Sequence, residues 1–242
     1  MEESIITRTD DLQNRSYNKN IITFTNFLTP SEQSLVLSRN YKNIELNGGG
    51  TFTERKRAFF LPDYVDDFKV EDYIVALKVV YSFKELSHRD FLGSLMGLNI
   101  KRQCIGDIYV SEKEAYIYVV KEMADFIKHN LTKVGSVGVK ALEVNLGEVE
   151  IPELKTEKIK FTVNSIRLDS VVAHSFKISR DDAVRMIKEG VVMLDYIECL
   201  VPSKELKEGA TLSLRGHGKV RLLKIGDKSQ KGSTFVEVEK YL

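Results

Sequence analysis

The chain has 242 residues and a mass of 27.6 kDa, with 43% hydrophobic and 29% charged residues, which excludes a fibrous, collagen-like or wholly disordered protein. No apolar run approaches the ~18–20 residues that a membrane-spanning helix needs. The formal charge is +1, but residues 1–155 carry 20 lysines and arginines against 23 acids, whereas residues 156–242 carry 16 against 12. A basic rear module behind a mildly acidic body points to a polyanionic partner for that module. The acidic N-terminus, MEESIITRTDDLQ, is unlike a secretory signal. Cys104 and Cys199 form no pair motif and read as reduced thiols of a cytoplasmic protein.

Residues 1–20 read as a short polar helix or an arm. Ile21–Phe27 is β-branched and aromatic, which favours a strand. Thr29-Pro30-Ser31-Glu32 opens a helix running to about Arg39, with proline early and an acid in the first turn. Ile44–Leu46, the Gly48-Gly49-Gly50 turn and Thr51–Leu61 read as strand, turn and strand, closed by Pro62 and Asp63.

Tyr73–Phe83 reads as a strand, and Ser87 caps a helix that stops at Gly97. Gln103–Val110 and Ala115–Val120 are two strands joined by the Ser111–Glu114 turn. A helix over Lys121–Leu131, with Met123, Ala124, Ile127 and Leu131 on one side, precedes a last strand at Val137–Leu146. The order β-α-β-β-α-β is the split-βαβ pattern shared by ferredoxin-like and RNA-recognition (RRM-like) folds, and it fixes no function. Residues 147–160 are charged, contain Pro152 and show little periodicity, so a linker is placed at 151–160.

The stretch 161–225 carries the most chemistry. Leu168, Val171, Val172 and Phe176 outline a short amphipathic helix. Ser179 then caps a second helix with Asp181 and Asp182 in its first turn, Ala183, Val184 and Ile187 on its apolar side, and Gly190 as a left-handed stop. At about 100° per residue, Arg185 and Lys188 project away from the apolar side, about 60° apart. Short strands follow at Val191–Leu194, Ile197–Val201, Thr211–Arg215 and Val220–Ile225, with Arg215, Lys219 and Arg221 at the last hairpin. Guanidinium and ammonium groups neutralise phosphates without demanding a base sequence, and A-form RNA is read mostly by shape, phosphate and 2′-OH.

The strings RLDSVVAHSFKISRDDAVRMIKEGVVML and PSKELKEGATLSLRGHGKVRLLKI resemble the RNA-binding module of ribosomal protein S-four. The match runs through Arg167, Leu168, Asp169, Ser179, Arg180, Ala183, Ile187, Gly190, Val192, Gly209, Arg215, Gly216 and Gly218. It departs at Asp195, where the module has Asn, and at Ala210, where it has an acid. NGGGTFTERKRAFFLPDY and LSHRDFLGSLMGLNIKRQCIGDIYV are similar to the YlmH family of Gram-positive bacteria. That resemblance covers essentially the whole chain. It implies an α+β protein with an N-terminal α/β unit (1–70), an RRM-like middle domain (71–150) and an S-four-type RNA-binding domain (161–242). It also implies ribosome association, a link to cell division by gene neighbourhood, and rescue of large ribosomal subunits still carrying peptidyl-tRNA.

The RNA-contact candidates are Arg167, Arg180, Arg185, Lys188, Arg215, Lys219 and Arg221, with His217 offered to a phosphate; Arg167 and Asp169 read equally as a local ion pair. Gly48-Gly49-Gly50 with Arg55, Lys56 and Arg57 reads as a hairpin beside a basic strand, without P-loop spacing; Arg55 and Arg57 stay on the candidate roster. Arg102 joins it through the family resemblance. Tyr116 and Tyr118 alternate on one strand face, as base-stacking or packed rings, with packing preferred. His88, His129, His174 and His217 are scattered, with no zinc spacing. The expectation is a non-enzymatic, cofactor-free, monomeric protein binding structured RNA (rRNA or tRNA) on the large subunit, its linked modules adding avidity. The alternatives are an RNA-modifying enzyme of pseudouridine synthase or methyltransferase type that uses the module for targeting, and an adaptor of the division machinery. The residues around Arg167-Leu168-Asp169 fit a binding module rather than a synthase signature.

Overall fold

The computed structural model describes residues 2–65, 67–82, 85–149, 156–228 and 232–241. The chain divides into two compact units, Met1–Pro152 and Glu153–Leu242, each mixing helices and antiparallel sheet in an α+β architecture. The first unit opens with α1 (Glu2–Lys19), β1 (Thr23–Phe24), α2 (Pro30–Ser38), β2 (Ile44–Asn47) and β3 (Arg57–Phe60). Its three strands pair antiparallel in the order β1-β3-β2. Helix α2 begins as expected, with Thr29 and Glu32 closing a capping box.

Helix α1 is a docked element rather than an arm. Its sequence is polar overall, yet Ile5 and Leu12 pack against a cluster containing Val36, Ala58 and Phe60. Hydrogen bonds complete the docking: Ser16 Oγ donates to the Phe60 carbonyl at 2.9 Å, and Thr23 Oγ1 to that of Leu12 at 2.7 Å. The expected strands at Ile21–Phe27 and Thr51–Leu61 contract to β1 and β3. The glycine triplet between β2 and β3 is a tight approach. A Cβ on Gly50 would lie 2.4 Å from the Tyr118 hydroxyl oxygen, and one on Gly49, whose φ is +87°, 2.8 Å from Ile74 Cγ2.

The same unit continues with β4 (Ile74–Val80), α3 (His88–Gly97), β5 (Ile105–Val110), β6 (Glu114–Val120), α4 (Lys121–Asn130), a small hairpin of β7 (Lys133–Val134) and β8 (Val137–Gly138), and β9 (Lys140–Val144). The expected strand from Val137 is thus divided between β8 and β9. The strand expected to reach Phe83 ends at Val80; Phe83 lies outside the described residues. Strands β5-β6-β4-β9 form an antiparallel sheet in that order, with α3 and α4 between successive strands. Ser87 closes a capping box with Asp90 at the start of α3.

Both faces of this sheet are covered. Val75, Leu77, Ile117 and Val119 face a core that includes Phe91, Leu95 and Ile127 from α3 and α4. Ile74, Ala76, Tyr118 and Val120 face the other way, against Phe27 and Phe59 of the front segment. Tyr118 is fully buried and Tyr116 is 3% exposed, so both rings pack, as preferred from the sequence. Burying one such aromatic is worth about 1.5–3 kcal/mol.

The second unit comprises β10 (Thr156–Val163), α5 (Leu168–Phe176), α6 (Arg180–Lys188), β11 (Val192–Leu194), β12 (Ile197–Glu198), β13 (Thr211–Leu214), β14 (Gly218–Lys228) and β15 (Thr234–Tyr241). Six strands pair antiparallel in the order β10-β15-β14-β13-β11-β12. Residues 156–160, expected as linker, belong to β10, where they pair with residues 237–241 of β15. Alternating exposed cations at an edge strand hide its β character; residues 151–155 of that expectation lie outside the described residues. Helices α5 and α6 pack with Leu212, Leu214, Val220, Leu222, Val236 and Val238 in one core.

Candidate nucleic-acid interface

Helix α5 is buried almost all round, Asp169, Ser170 and Ser175 included, so it is a core helix rather than an amphipathic surface one. Its buried carboxylate organises the local cations. Asp169 is 2% exposed at its side chain and accepts from Arg167 Nε and Nη2 at 3.2 Å, and from Arg180 Nε at 3.1 Å and Nη2 at 3.0 Å. It also takes the Ser170 amide at 2.9 Å. The two arginine side chains stay 39% and 57% exposed while their guanidiniums are held by one carboxylate. The Arg167–Asp169 pair expected from the sequence is present, and the structure adds a second arginine, Arg180, on the same carboxylate.

Ser179 caps α6, its Oγ accepting the Asp182 amide at 3.0 Å. Gly190 stops it, with φ +73°, the Gly190 amide reaching Ile187 O at 3.1 Å and the Val191 amide Met186 O at 3.3 Å. Ala183 and Ile187 are buried while Arg185 and Lys188 are exposed, as the helical spacing requires. Arg185 Nη2 donates to Asp182 at 2.7 Å across one turn, an exposed pair. Between the helices Lys177 holds a left-handed conformation, φ 55°, and is exposed. It is a cation that the sequence reading does not single out, although its place in the loop between the two helices is legible in HSFKISR.

The β13–β14 turn meets the ends of both helices. The Arg215 amide donates to Val191 O at 3.2 Å, just beyond α6, and the His217 ring stands edge-on to Phe176 at 6.4 Å, at the end of α5. Arg215 and His217 are exposed there. Lys177, Arg180, Arg185, Lys188 and Arg215 therefore sit on the helix pair and the adjoining turn, interspersed with Asp181 and Asp182.

Two hairpin candidates leave this group. Val220 and Leu222 of β14 enter the core beneath the helices. Lys219 and Arg221 alternate with them and belong to the opposite sheet face. There Lys219 lies over the Tyr241 ring at 4.4 Å and the Tyr196 ring at 5.9 Å, and Arg221 stands opposite Glu239 in register.

Arg57, also a candidate, is a structural residue. It is 1% exposed, donates to the carbonyls of Thr25 and Tyr73, and places its guanidinium 4.5 Å over the Phe24 ring. Burial pushes it down to about 10, so it remains a cation at neutral pH. Arg55 and Arg102 are half-buried and share one acceptor, the Ile105 carbonyl. Among the described residues no group of three or more His, Cys, Asp and Glu side chains is placed to hold a metal ion, and no helix is long and apolar enough to cross a membrane.

Residues 64–148 match the family model described as "Putative RNA-binding domain in YlmH". The chain is 35% identical over 221 residues to the ribosome-associated protein quality control protein P2 of Bacillus subtilis strain 168, covering 89% of this chain and 86% of that protein. It is also similar to a solved structure, the cell division protein ylmH from Streptococcus pneumoniae. That likeness has a TM-score of 0.51 and 25% identity, and covers 61% of this chain and 93% of that one.

Proposed function

The chain belongs to the YlmH family, and from that premise we propose that it is a ribosome-associated, non-enzymatic RNA-binding protein whose second unit is an S-four-type module gripping structured RNA. The observation that carries this reading is the Arg167–Asp169–Arg180 anchor. A buried carboxylate fixes the guanidiniums of two side chains that remain partly exposed, which pre-organises cations for phosphate at low entropic cost. Exposed Lys177, Arg185, Lys188 and Arg215 extend that edge over the helix pair and the β13–β14 turn. Such a surface suits the phosphate backbone and 2′-hydroxyls of an A-form helix in rRNA or tRNA on the large subunit.

The RRM-like reading of residues 74–144 rests on the strand order and the two crossing helices. Its role in RNA binding differs from that of an open RRM sheet, because Phe27 and Phe59 cover the face on which bases would stack. RNA contacts of the first unit are accordingly placed at its edges.

The test is binding of the purified full chain to large-subunit RNA across a salt series. Replacing Arg180, Arg185 and Lys188 together with Ala lowers the affinity and reduces the log–log salt slope by ~2–3, as expected for three lost phosphate contacts. The Arg185/Lys188 double variant, which spares the anchor, shows about two-thirds of that change. An unchanged slope in both variants overturns the reading, and a change in RNA base mass after incubation favours a modifying enzyme instead.

A further inference from the structure

The first unit has a second cationic concavity, a pocket of about 490 Å³ bordered by α1, the loop leading into α2, the segment before β3 and the turn before β5. Arg8, Arg55, Lys101 and Arg102 line it, and Glu32 is the one carboxylate among the lining residues. Glu32 is already committed to the α2 cap, accepting from the Thr29 amide at 2.7 Å and the Thr29 hydroxyl at 2.8 Å.

Two of the four cations are held in place by neutral groups. Arg55 donates through Nε to Ile105 O at 3.2 Å and through Nη2 to Phe27 O at 3.0 Å. Arg102 donates through Nη1 to the same Ile105 carbonyl and to Gly106 O at 3.2 Å. Backbone carbonyls orient a guanidinium without cancelling its charge, and each group has five N–H donors, so both arginines keep donors beyond these bonds. Two like charges converging on one carbonyl oxygen repel, and an anion relieves that repulsion. Burial, with the Arg55 charge behind it, pushes Arg102 down to about 10, so Arg102 remains a cation at neutral pH. The Glu32 and Asp107 carboxylates both offset part of the field at Arg55, but Glu32 holds the α2 cap and the Asp107 oxygens accept the Glu54 and Arg55 amides instead of forming a bidentate pair with either side chain. Arg8 and Lys101 are exposed at the rim, where they add attraction over a longer reach. The volume is that of a small-ligand site.

We propose that this pocket binds a phosphate group carried by a nucleotide or an RNA strand, with Arg55 and Arg102 as its fixed fork and Arg8 and Lys101 as its rim. The phosphate chemistry stands by itself; an RNA strand as its source rests on the function proposed above.

The experiment uses the full chain and four fluorescence or competition probes: 5′-phosphorylated hexauridylate, AMP, inorganic phosphate and uridine. The expected result is binding of the phosphorylated nucleotides at least tenfold tighter than uridine, with inorganic phosphate competing. The Arg8→Gln/Lys101→Gln variant, which changes two exposed residues and melts as the parent does, loses at least tenfold. Arg102→Lys, which keeps the charge and removes the fork, also weakens the phosphorylated probes. Hexauridylate binding tighter than AMP identifies a strand as the source; equal affinities identify a free nucleotide. The Arg185→Ala/Lys188→Ala variant keeps this binding even where it loses structured RNA, which separates the two readings. Equal affinity for uridine and AMP, or unchanged binding in the Arg8→Gln/Lys101→Gln variant, overturns the proposal.

Discussion

Arg180, at the start of α6, donates to the Asp169 carboxylate of α5 at 3.0 Å across eleven residues of sequence. The contact ties the two helices together, and Arg167 Nη2 meets the same Oδ2 oxygen. Asp169→Asn keeps the shape and removes the charge. The expected loss is about 1–3 kcal/mol of folding stability, read from denaturant midpoints, because charge-assisted hydrogen bonds become neutral ones. The variant also gains one net positive charge. A surface acting by charge alone would then bind RNA more tightly. A surface that depends on fixed arginines binds it more weakly, and that weaker binding is the expected outcome.

Gly190→Val tests the cap of α6. Gly190 has φ +73°, and a Cβ there would lie 2.8 Å from a Glu198 carboxylate oxygen. The substitution costs about 1 kcal/mol or more through backbone strain alone. A Gly190→Asn variant, whose side chain tolerates the left-handed region better, recovers part of it. Thermal melts of the two variants give the order glycine, asparagine, valine.

Arg57→Gln tests a structural assignment. The parent side chain is buried, donates to two carbonyls and lies over Phe24. Leaving the Thr25 and Tyr73 carbonyls short of a donor costs about 1–3 kcal/mol. RNA affinity of the folded protein stays unchanged, whereas a true contact residue would lose affinity with little change in the melt.

Capping and spacing made much of this architecture legible. Thr29, Ser87, Ser179 and Gly190 all mark helix ends where the sequence placed them, because their short-range chemistry is independent of the rest of the fold. The β-α-β-β-α-β order of residues 74–144 was legible for the same reason, as alternation and helical periodicity are local signals. What escaped was long-range. Helix α1 looks like an arm because its anchors, Thr9, Ser16 and Tyr41, are polar groups that bond across the fold. Strand β15 alternates Val236 and Val238 with Glu237 and Glu239, a local signal present in the sequence, whereas its pairing with β10 is long-range. At the interface, residue types named Arg180 and Arg185 correctly as exposed cations. They could not place Lys219 and Arg221 on the other sheet face, since that depends on which parity of β14 meets the helices. Arg57 failed for a similar reason: an arginine beside glycines reads as surface until its carbonyl acceptors are in view.

Tyr118 gives a pH prediction with a definite sign. Its ring is buried between the three-stranded and four-stranded sheets of the first unit, and its hydroxyl has no hydrogen-bond partner among the described residues. Burial disfavours the phenolate and pushes the group from the usual 10.0 up to about 12. A group raised in the folded state contributes stability that is complete below pH 10 and lost as pH rises through about 12. Denaturation at pH 9, 11 and 12 shows the parent losing stability relative to Tyr118→Phe across that window. At pH 7 the phenylalanine variant is more stable than the parent by about 1 kcal/mol, because an unpartnered hydroxyl no longer has to be desolvated.

The pairing of β10 with β15 has a consequence for the order of synthesis. In the six-stranded sheet β10 has β15 as its neighbour, with Thr156 opposite Tyr241 and Val163 opposite Thr234. A nascent chain therefore carries β10 with its edge unpaired while both helices and the inner strands emerge. The β10–β15 pairing closes last, a non-local step that bears on folding rate more than on final stability.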